Sequence, residues 1–199
     1  QRFGYGTYRT RVAFGDCASN EEATQAVLGY FSDGADHNGN GIRDETEIDF
    51  QVLCGAPSLV YLTVFTDYEE RPSGTVFRKL SHVIDFATGR TYDTPSPNED
   101  AFAAGPIDPT LVLELFSPGR FYEVGFEWHA AQIRFFIDAG AGEKTLWTLT
   151  DPARIPTGSV QLVYNAWHPE SHWFPLSSPA DYPADDVVMS IDWFRFYAE

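Results

Sequence analysis

Residues 44–55 read DETEIDFQVLCG, and the alternation inside this stretch decides the fold. Glu47, Asp49 and Gln51 recur at every second position, while Ile48, Phe50 and Val52 fill the positions between them. Successive side chains of a β-strand point to opposite faces, so this stretch is expected to be a strand with a polar row on one face and a core row on the other.

Working outward, residues 5–14 (YGTYRTRVAF) alternate in the same way, with Tyr8, Thr10 and Val12 opposite Thr7, Arg9 and Arg11. Residues 58–66 (SLVYLTVFT) are β-branched and aromatic, and residues 121–128 and 132–138 (FYEVGFEW, QIRFFID) flank a short turn at Ala130 and Ala131, as a hairpin does. Residues 159–167 (SVQLVYNAW) and 187–197 (VVMSIDWFRFY) add two strands. Many short strands punctuated by Gly and Pro predict an all-β sandwich or barrel, and 199 residues suit one such domain over 1–199. One helix is expected around residues 20–28 (NEEATQAVL), capped by Asn20. Residues 91–110 (TYDTPSPNEDAFAAGPIDPT) are acidic, proline-rich and without alternation, and are expected to form a long surface loop, either walling a cleft or passive.

The formal charge of -16 repels phosphate backbones and anionic lipid headgroups, which argues against nucleic acid as a partner. A neutral polysaccharide meets no such penalty. No apolar run is long enough to span a bilayer as a helix, and the chain begins at Gln1 rather than Met, which suggests a processed or trimmed N-terminus. Aromatic residues make up 16% of the chain, enough for some rings to line a site as well as the core. Cys17 and Cys54 permit one disulfide if the protein is secreted, and otherwise read as two reduced buried thiols.

The polar row is suited to glycoside hydrolysis. Retention of configuration needs two carboxyl groups about 5 to 5.5 Å apart, one attacking the anomeric carbon and one protonating the leaving oxygen. Positions i and i+4 of a strand lie about 13 Å apart, and side chains leaning together bring their ends to about 5 Å. Position 51 holds a carboxamide, which has no acidic proton at neutral pH.

These residues resemble the Glu-aliphatic-Asp-aliphatic-Glu signature of family 16 glycoside hydrolases, the laminarinase and lichenase type of β-glucanase. YGTYRTRVAF is similar to that family's Tyr-Gly-x-Tyr-Glu-x-Arg strand, and LGYF at 28–31 to its Gly-Phe-Phe segment. FEWHAAQIRFFIDA at 126–139 is similar to its strand-turn-strand ending in Val-Asp-Gly, VYNAWH at 163–168 to its Asn-x-Trp element, and IDWFRFY at 191–197 to its Asp-Trp-Val-Arg-Val-Tyr closing strand. The resemblance implies a concanavalin A-like β-jelly-roll of two antiparallel sheets, secreted, monomeric and acting on a β-1,3- or mixed-linkage glucan. It places Glu47 as nucleophile, Asp49 as the acid that orients it, and Gln51 where the acid/base belongs. Asn165 and Trp167 fall on sugar-contacting positions, and Glu45 stands where many members carry Trp. The N-terminal strands that usually precede the Tyr-Gly-x-Tyr segment have no counterpart here.

With Gln51 in the acid/base position, the implied retaining endo-β-glycanase is inactive as written. Gln51 is either a deliberate replacement that traps substrate or the mark of a carbohydrate-binding descendant, and the retained Glu47 and Asp49 favour the first. A lectin-like binding module and a calcium-stabilised sandwich that recognises protein are the competing readings. Upstream, Asp36, Asn38, Asn40, Ile42 and Asp44 occupy positions 1, 3, 5, 7 and 9 of a D-x-[DN]-x-[DN]-G loop, so a structural calcium is expected, with Asp44, Glu45 or an outside acid completing its shell; the alternative is a flexible Gly and Asn loop. No cofactor is needed for catalysis. His129, His168 and His172 read as ordinary loop histidines, without a zinc site.

Overall fold

The computed structural model describes residues 1–15, 23–54, 58–95, 103–106, 119–167 and 186–199. In chain order the strands are β1 (Gly6–Ala13), β2 (Thr24–Phe31), β3 (Asp44–Leu53), β4 (Leu59–Arg71), β5 (Gly74–Asp85), β6 (Arg90–Pro95), β7 (Ala103–Pro106), β8 (Phe121–His129), β9 (Gln132–Asp138), β10 (Lys144–Leu149), β11 (Gln161–Trp167) and β12 (Ser190–Ala198). Among the described residues a single 3₁₀ turn, Pro152–Arg154, starts where the Asp151 carboxylate accepts from the Ala153 N–H. The strands form two antiparallel sheets, one ordered β10-β9-β8-β1-β12 and the other β11-β2-β3-β4-β5-β6-β7.

The core lies between the sheets and is built from the inward residues that alternation selects. Ile48, Phe50 and Val52 of β3 meet Tyr8 and Val12 of β1 and Val124, Phe126 and Trp128 of β8, all buried. Tyr8 stacks on Phe126 with ring centroids 4.6 Å apart. The Trp128 indole N–H is satisfied by the Pro156 carbonyl at 3.1 Å, so the ring is buried without an orphan donor. The hairpin turning at Ala130 and Ala131 joins β8 to β9 as its sequence predicts, with His129 facing Gln132 across the turn.

Two sequence expectations are corrected. Residues 24–28, placed in a helix by their composition, belong to β2, which pairs with β3 on one side and β11 on the other. Two complete hydrogen-bond ladders outweigh a weak local preference for helix; Asn20 lies outside the described residues. Within 91–110, residues 91–95 and 103–106 extend the larger sheet as its outermost strands rather than forming a loop, with Pro95 and Pro106 at strand ends where proline is tolerated. Residues 96–102 and 107–110 lie outside the described residues. Trp193 is half-buried beneath the Arg195 guanidinium, 4.4 Å from its ring centroid.

Candidate functional site

β3 lies between β2 and β4 in the larger sheet, so its outward residues are flanked on both sides. Directly paired residues of antiparallel strands share a face. The register therefore defines three rungs across the outer surface of the sheet. Glu47 sits between Tyr30 and Phe65, and beyond Phe65 comes Lys79. Asp49 sits between Leu28 and Thr63, followed by Ser81. Gln51 sits between Ala26 and Tyr61; Asn165 lies beyond Ala26, and Val83 and Tyr92 beyond Tyr61.

The sequence candidates are thus brought together on one face. Asn165 and Gln51 are two strands apart, about 10 Å at ordinary strand spacing, with only the Ala26 methyl between them. The Oδ1 of Asn165 is buried and without a hydrogen-bond partner. Trp167, at the end of β11, pairs with Thr24 and is 37% exposed, so its ring is not buried in the core.

The outer face is not uniformly open. Asp49 is 1% exposed, Gln51 6% and Glu45 7%, and Leu53, Leu59, Tyr61 and Val83 form a second buried apolar cluster against which Tyr92 packs. At the other end of the row Tyr30 is 38% exposed and reaches Glu45 through its hydroxyl, at 3.5 Å. The polar row therefore runs from a solvent-facing end at Tyr30 to a dry end at Gln51.

Desolvation governs the charge state of this row. Glu45, Glu47 and Asp49 form a chain of carboxyl groups in which Glu47 hydrogen-bonds to both neighbours. Burial, with the neighbouring Glu47 charge, pushes Glu45 up to about 8. Burial and the Asp49 charge push Glu47 up to about 9, and burial raises Asp49 as well, while Lys79 opposes the rise of both. One oxygen of Asp49, Oδ1, is buried without a hydrogen-bond partner. Thr63 and Ser81, the hydroxyl residues on its rung, bond each other at 2.9 Å.

The loop before β3 folds back against the end of the sheet. Asp36 accepts from the backbone N–H groups of Gly39, Asn40 and Gly41, as Asn and Asp do in tight turns. Ile42 donates its N–H to the Asn40 side chain, and Arg71 donates to the Gly41 carbonyl. The Asn38 amide donates to Asp44 at 2.6 Å and to Asp67 at 3.2 Å, and the Asn40 amide to Asp67 at 2.7 Å. A bulge between Phe65 and Asp67 lets Asp67 pair with Arg78 and meet this loop from β4, and sequence alone gives no reason to single it out. Hard oxygen donors of this kind suit calcium if both amides turn their oxygens inward. Among the described residues, however, no three His, Cys, Asp or Glu side chains cluster as a metal-binding group. His37, Asn38, Asn40, Asp44, Asp67 and Arg78 line part of an adjoining cavity of ≈ 360 Å³.

Of the remaining candidates, Cys54 is buried, with the Gln25 side-chain amide 3.4 Å from its sulfur, while Cys17, His168 and His172 lie outside the described residues. No helix of the described residues is long and apolar enough to cross a membrane.

Among solved structures, a Bacillus licheniformis β-glucanase superposes with a TM-score of 0.59 at 14% sequence identity, over 100% of this chain and 69% of that one. A glycoside hydrolase family protein from Mycobacterium thermorestibile (Rv0315 ortholog) matches with a TM-score of 0.46 at 16% identity, over 99% of this chain and 65% of that one. The first likeness establishes a β-glucanase-like jelly roll of two antiparallel sheets, within the sandwich or barrel class that the strand pattern predicts and the form that the family resemblance implies. No protein-family model matches the chain, and no curated protein matches it in sequence.

Proposed function

We propose that this protein is a family 16-type β-glycanase scaffold that binds a neutral β-glucan, β-1,3- or mixed-linkage, and does not cleave it with Gln51 in place. The observation that carries the reading is the register that sets Glu47, Asp49, Gln51 and Asn165 on one face of adjacent strands, with Trp167 at its edge. In this reading the Glu47 carboxylate would attack the anomeric carbon while an acid at position 51 gave its proton to the departing oxygen. That acid, then a carboxylate, would take a proton from water, and the water would release the sugar from Glu47. Gln51 can donate a hydrogen bond to the glycosidic oxygen but cannot transfer a proton to it. Asn165 and Trp167 would hold the sugar, the indole against a pyranose face. Glu45 would act at the solvent-facing end of the row.

The burial of Asp49 and Gln51 favours a second reading, a lectin-like module in which glycan contacts only the exposed ends of the face, near Trp167 and Tyr30. One experiment separates the two. Reducing-sugar release is measured for the parent and for Gln51→Glu on β-1,3-, mixed-linkage and β-1,6-glucans and galactans. General acid catalysis contributes about 10²- to 10⁴-fold, so hydrolysis rising by that factor in the variant is the expected result. No hydrolysis in either protein, with glycan binding intact, would make it the lectin.

The proposal extends to an extracellular setting, a Cys17–Cys54 bridge and a monomer. It also includes a structural calcium held by Asp36, Asn38, Asn40, the Ile42 carbonyl and Asp44, with Asp67 as the outside acid.

A further inference from the structure

The loop that leads into β3 carries the dipeptide Asn-Gly twice, at 38–39 and 40–41. In this pair the asparagine side-chain carbon is most open to attack by the next backbone nitrogen, because glycine sets no Cβ beside that nitrogen. We propose that Asn40 is a self-modification site, at which the folded loop drives conversion of the amide to aspartate and isoaspartate through a cyclic succinimide, with Asp36 taking the proton of the attacking nitrogen. The inference is independent of the glycan reading of the β3 row.

Ring closure needs a nucleophile with a base, an electrophile, and a donor for the developing oxyanion, and the loop supplies each at hydrogen-bond distance. The nucleophile is the Gly41 nitrogen, whose N–H is donated to Asp36 Oδ2 at 2.8 Å, so the acceptor for its proton is already in contact. The electrophile is Cγ of Asn40, tethered to that nitrogen through the Asn40 backbone. Its Oδ1 accepts from the Ile42 N–H at 2.9 Å, an Asx turn that folds the carboxamide back over the Gly41 peptide. The same N–H faces the oxygen on which negative charge develops as the ring closes, as an oxyanion-hole donor does. The partners fix the orientation of the amide. A backbone N–H can only donate, so the atom facing Ile42 is oxygen, and the atom facing the Asp67 carboxylate, at 2.7 Å, is the leaving nitrogen.

Asn38 has a poorer version of the same arrangement. The Gly39 N–H is likewise held by Asp36, at 2.7 Å, but the donor to Asn38 Oδ1, the Asn40 N–H at 3.0 Å, is shared with Asp36 at 3.2 Å. Its amide nitrogen is also tied to two carboxylates, Asp44 and Asp67. Asn40 is exposed, and at Gly41, whose φ is 84°, no atom lies within 4 Å of the position a Cβ would take, so water reaches the ring. The chemistry balances as amide plus water giving acid plus ammonia. The Gly41 nitrogen bonds to Cγ as its proton passes to Asp36 and the carbonyl electron pair moves onto Oδ1. That pair returns as the Cγ–Nδ2 bond breaks, and Nδ2 leaves as ammonia with the proton that Asp36 took, returned directly or through water. Water then opens the succinimide at either carbonyl, leaving a carboxyl group at position 40 in the α or the β linkage. The product has lost the amide that donates to Asp67, one of the bonds that tie this loop to β4.

The test is peptide-mapping mass spectrometry of chelator-treated protein at neutral pH, which reads the fraction of Asn40 converted with time, beside the same protein unfolded in urea. In the fold, Asn40 is expected to convert at least about tenfold faster than in urea, a modest share of what a positioned base and a fixed geometry contribute. Equal or slower conversion in the folded protein overturns the proposal, and this comparison needs no variant. Asp36→Asn keeps an oxygen that accepts a backbone N–H but supplies no base. It should lower the folded rate by at least about tenfold and leave the rate in urea unchanged. A folded rate unmoved by Asp36→Asn overturns the role of Asp36. Protection of the Ile42 amide from hydrogen exchange in Asp36→Asn shows that the Asx turn is kept, so that the lost rate reports the base and not a melted loop. Should that protection be lost, the parent comparison alone decides.

Discussion

The buried carboxyl row makes the stability of this protein fall as pH rises through neutrality, and replacing Glu47 by Gln should remove part of that fall. In the unfolded chain a Glu carboxyl loses its proton near pH 4.3. In the fold, burial and the neighbouring Asp49 charge hold Glu47 protonated up to about 9. Between those limits the native state binds more protons than the unfolded state, so stability is fully present below the unfolded pKa and declines as pH rises through the folded one. Each proton retained only by the fold is worth about 1.4 kcal/mol per pH unit. Retained from about pH 5 to about pH 8, a single proton amounts to roughly 4 kcal/mol, a large part of the 5–15 kcal/mol typical of a domain. That figure is an upper bound for Glu47, because its shift is coupled to Glu45 and Asp49 and opposed by Lys79. Urea unfolding of the parent and Glu47→Gln at pH 5 and pH 8 measures the effect. Glu47→Gln is expected to gain at least about 1.4 kcal/mol on the parent over this interval, the value of one retained proton across one unit. Parallel losses in the two proteins would refute the argument that desolvation, and not a solvated surface, sets the charge of this row.

The remaining predictions concern the core and the loop. Trp128→Ala removes a fully buried indole and its hydrogen bond to Pro156, and should cost about 3–5 kcal/mol in chemical unfolding; a loss under about 1 kcal/mol would contradict its central place between the sheets. Calcium added to chelator-treated protein should raise its melting temperature. A site with Kd near 10⁻⁴ M gives about 2.7 kcal/mol at a hundredfold excess over Kd, and no shift at millimolar calcium would rule out a site of that strength. The same titration of Asp67→Ala should show no shift, because the outside acid is gone.

Sequence by itself determined what depends on local periodicity. The alternation in 44–55 separates Glu47, Asp49 and Gln51 from Ile48, Phe50 and Val52, and the structure keeps that separation. The same period defines β1, the β8–β9 hairpin and β11, and so most of the face that meets the core. Local reading failed where a segment's state depends on neighbours distant in sequence. Residues 24–28 look helical alone, but they lie between β3 and β11, and their backbone groups are satisfied by those two strands. The stretch around Asp93 looks like a loop, yet it forms β6, paired with β5 on one side and β7 on the other, partners that local periodicity does not reveal.

Only the tertiary structure decided the register, and with it the site. Asn165 stands near Gln51 because β11 and β3 both pair with β2, and Lys79 shares a rung with Glu47 because β4 joins their strands. The charge of the row is likewise a property of the assembled sheet. A carboxyl group's preference for its proton is set by the water it loses and the cation it gains, and both are fixed only when strands far apart in sequence come together.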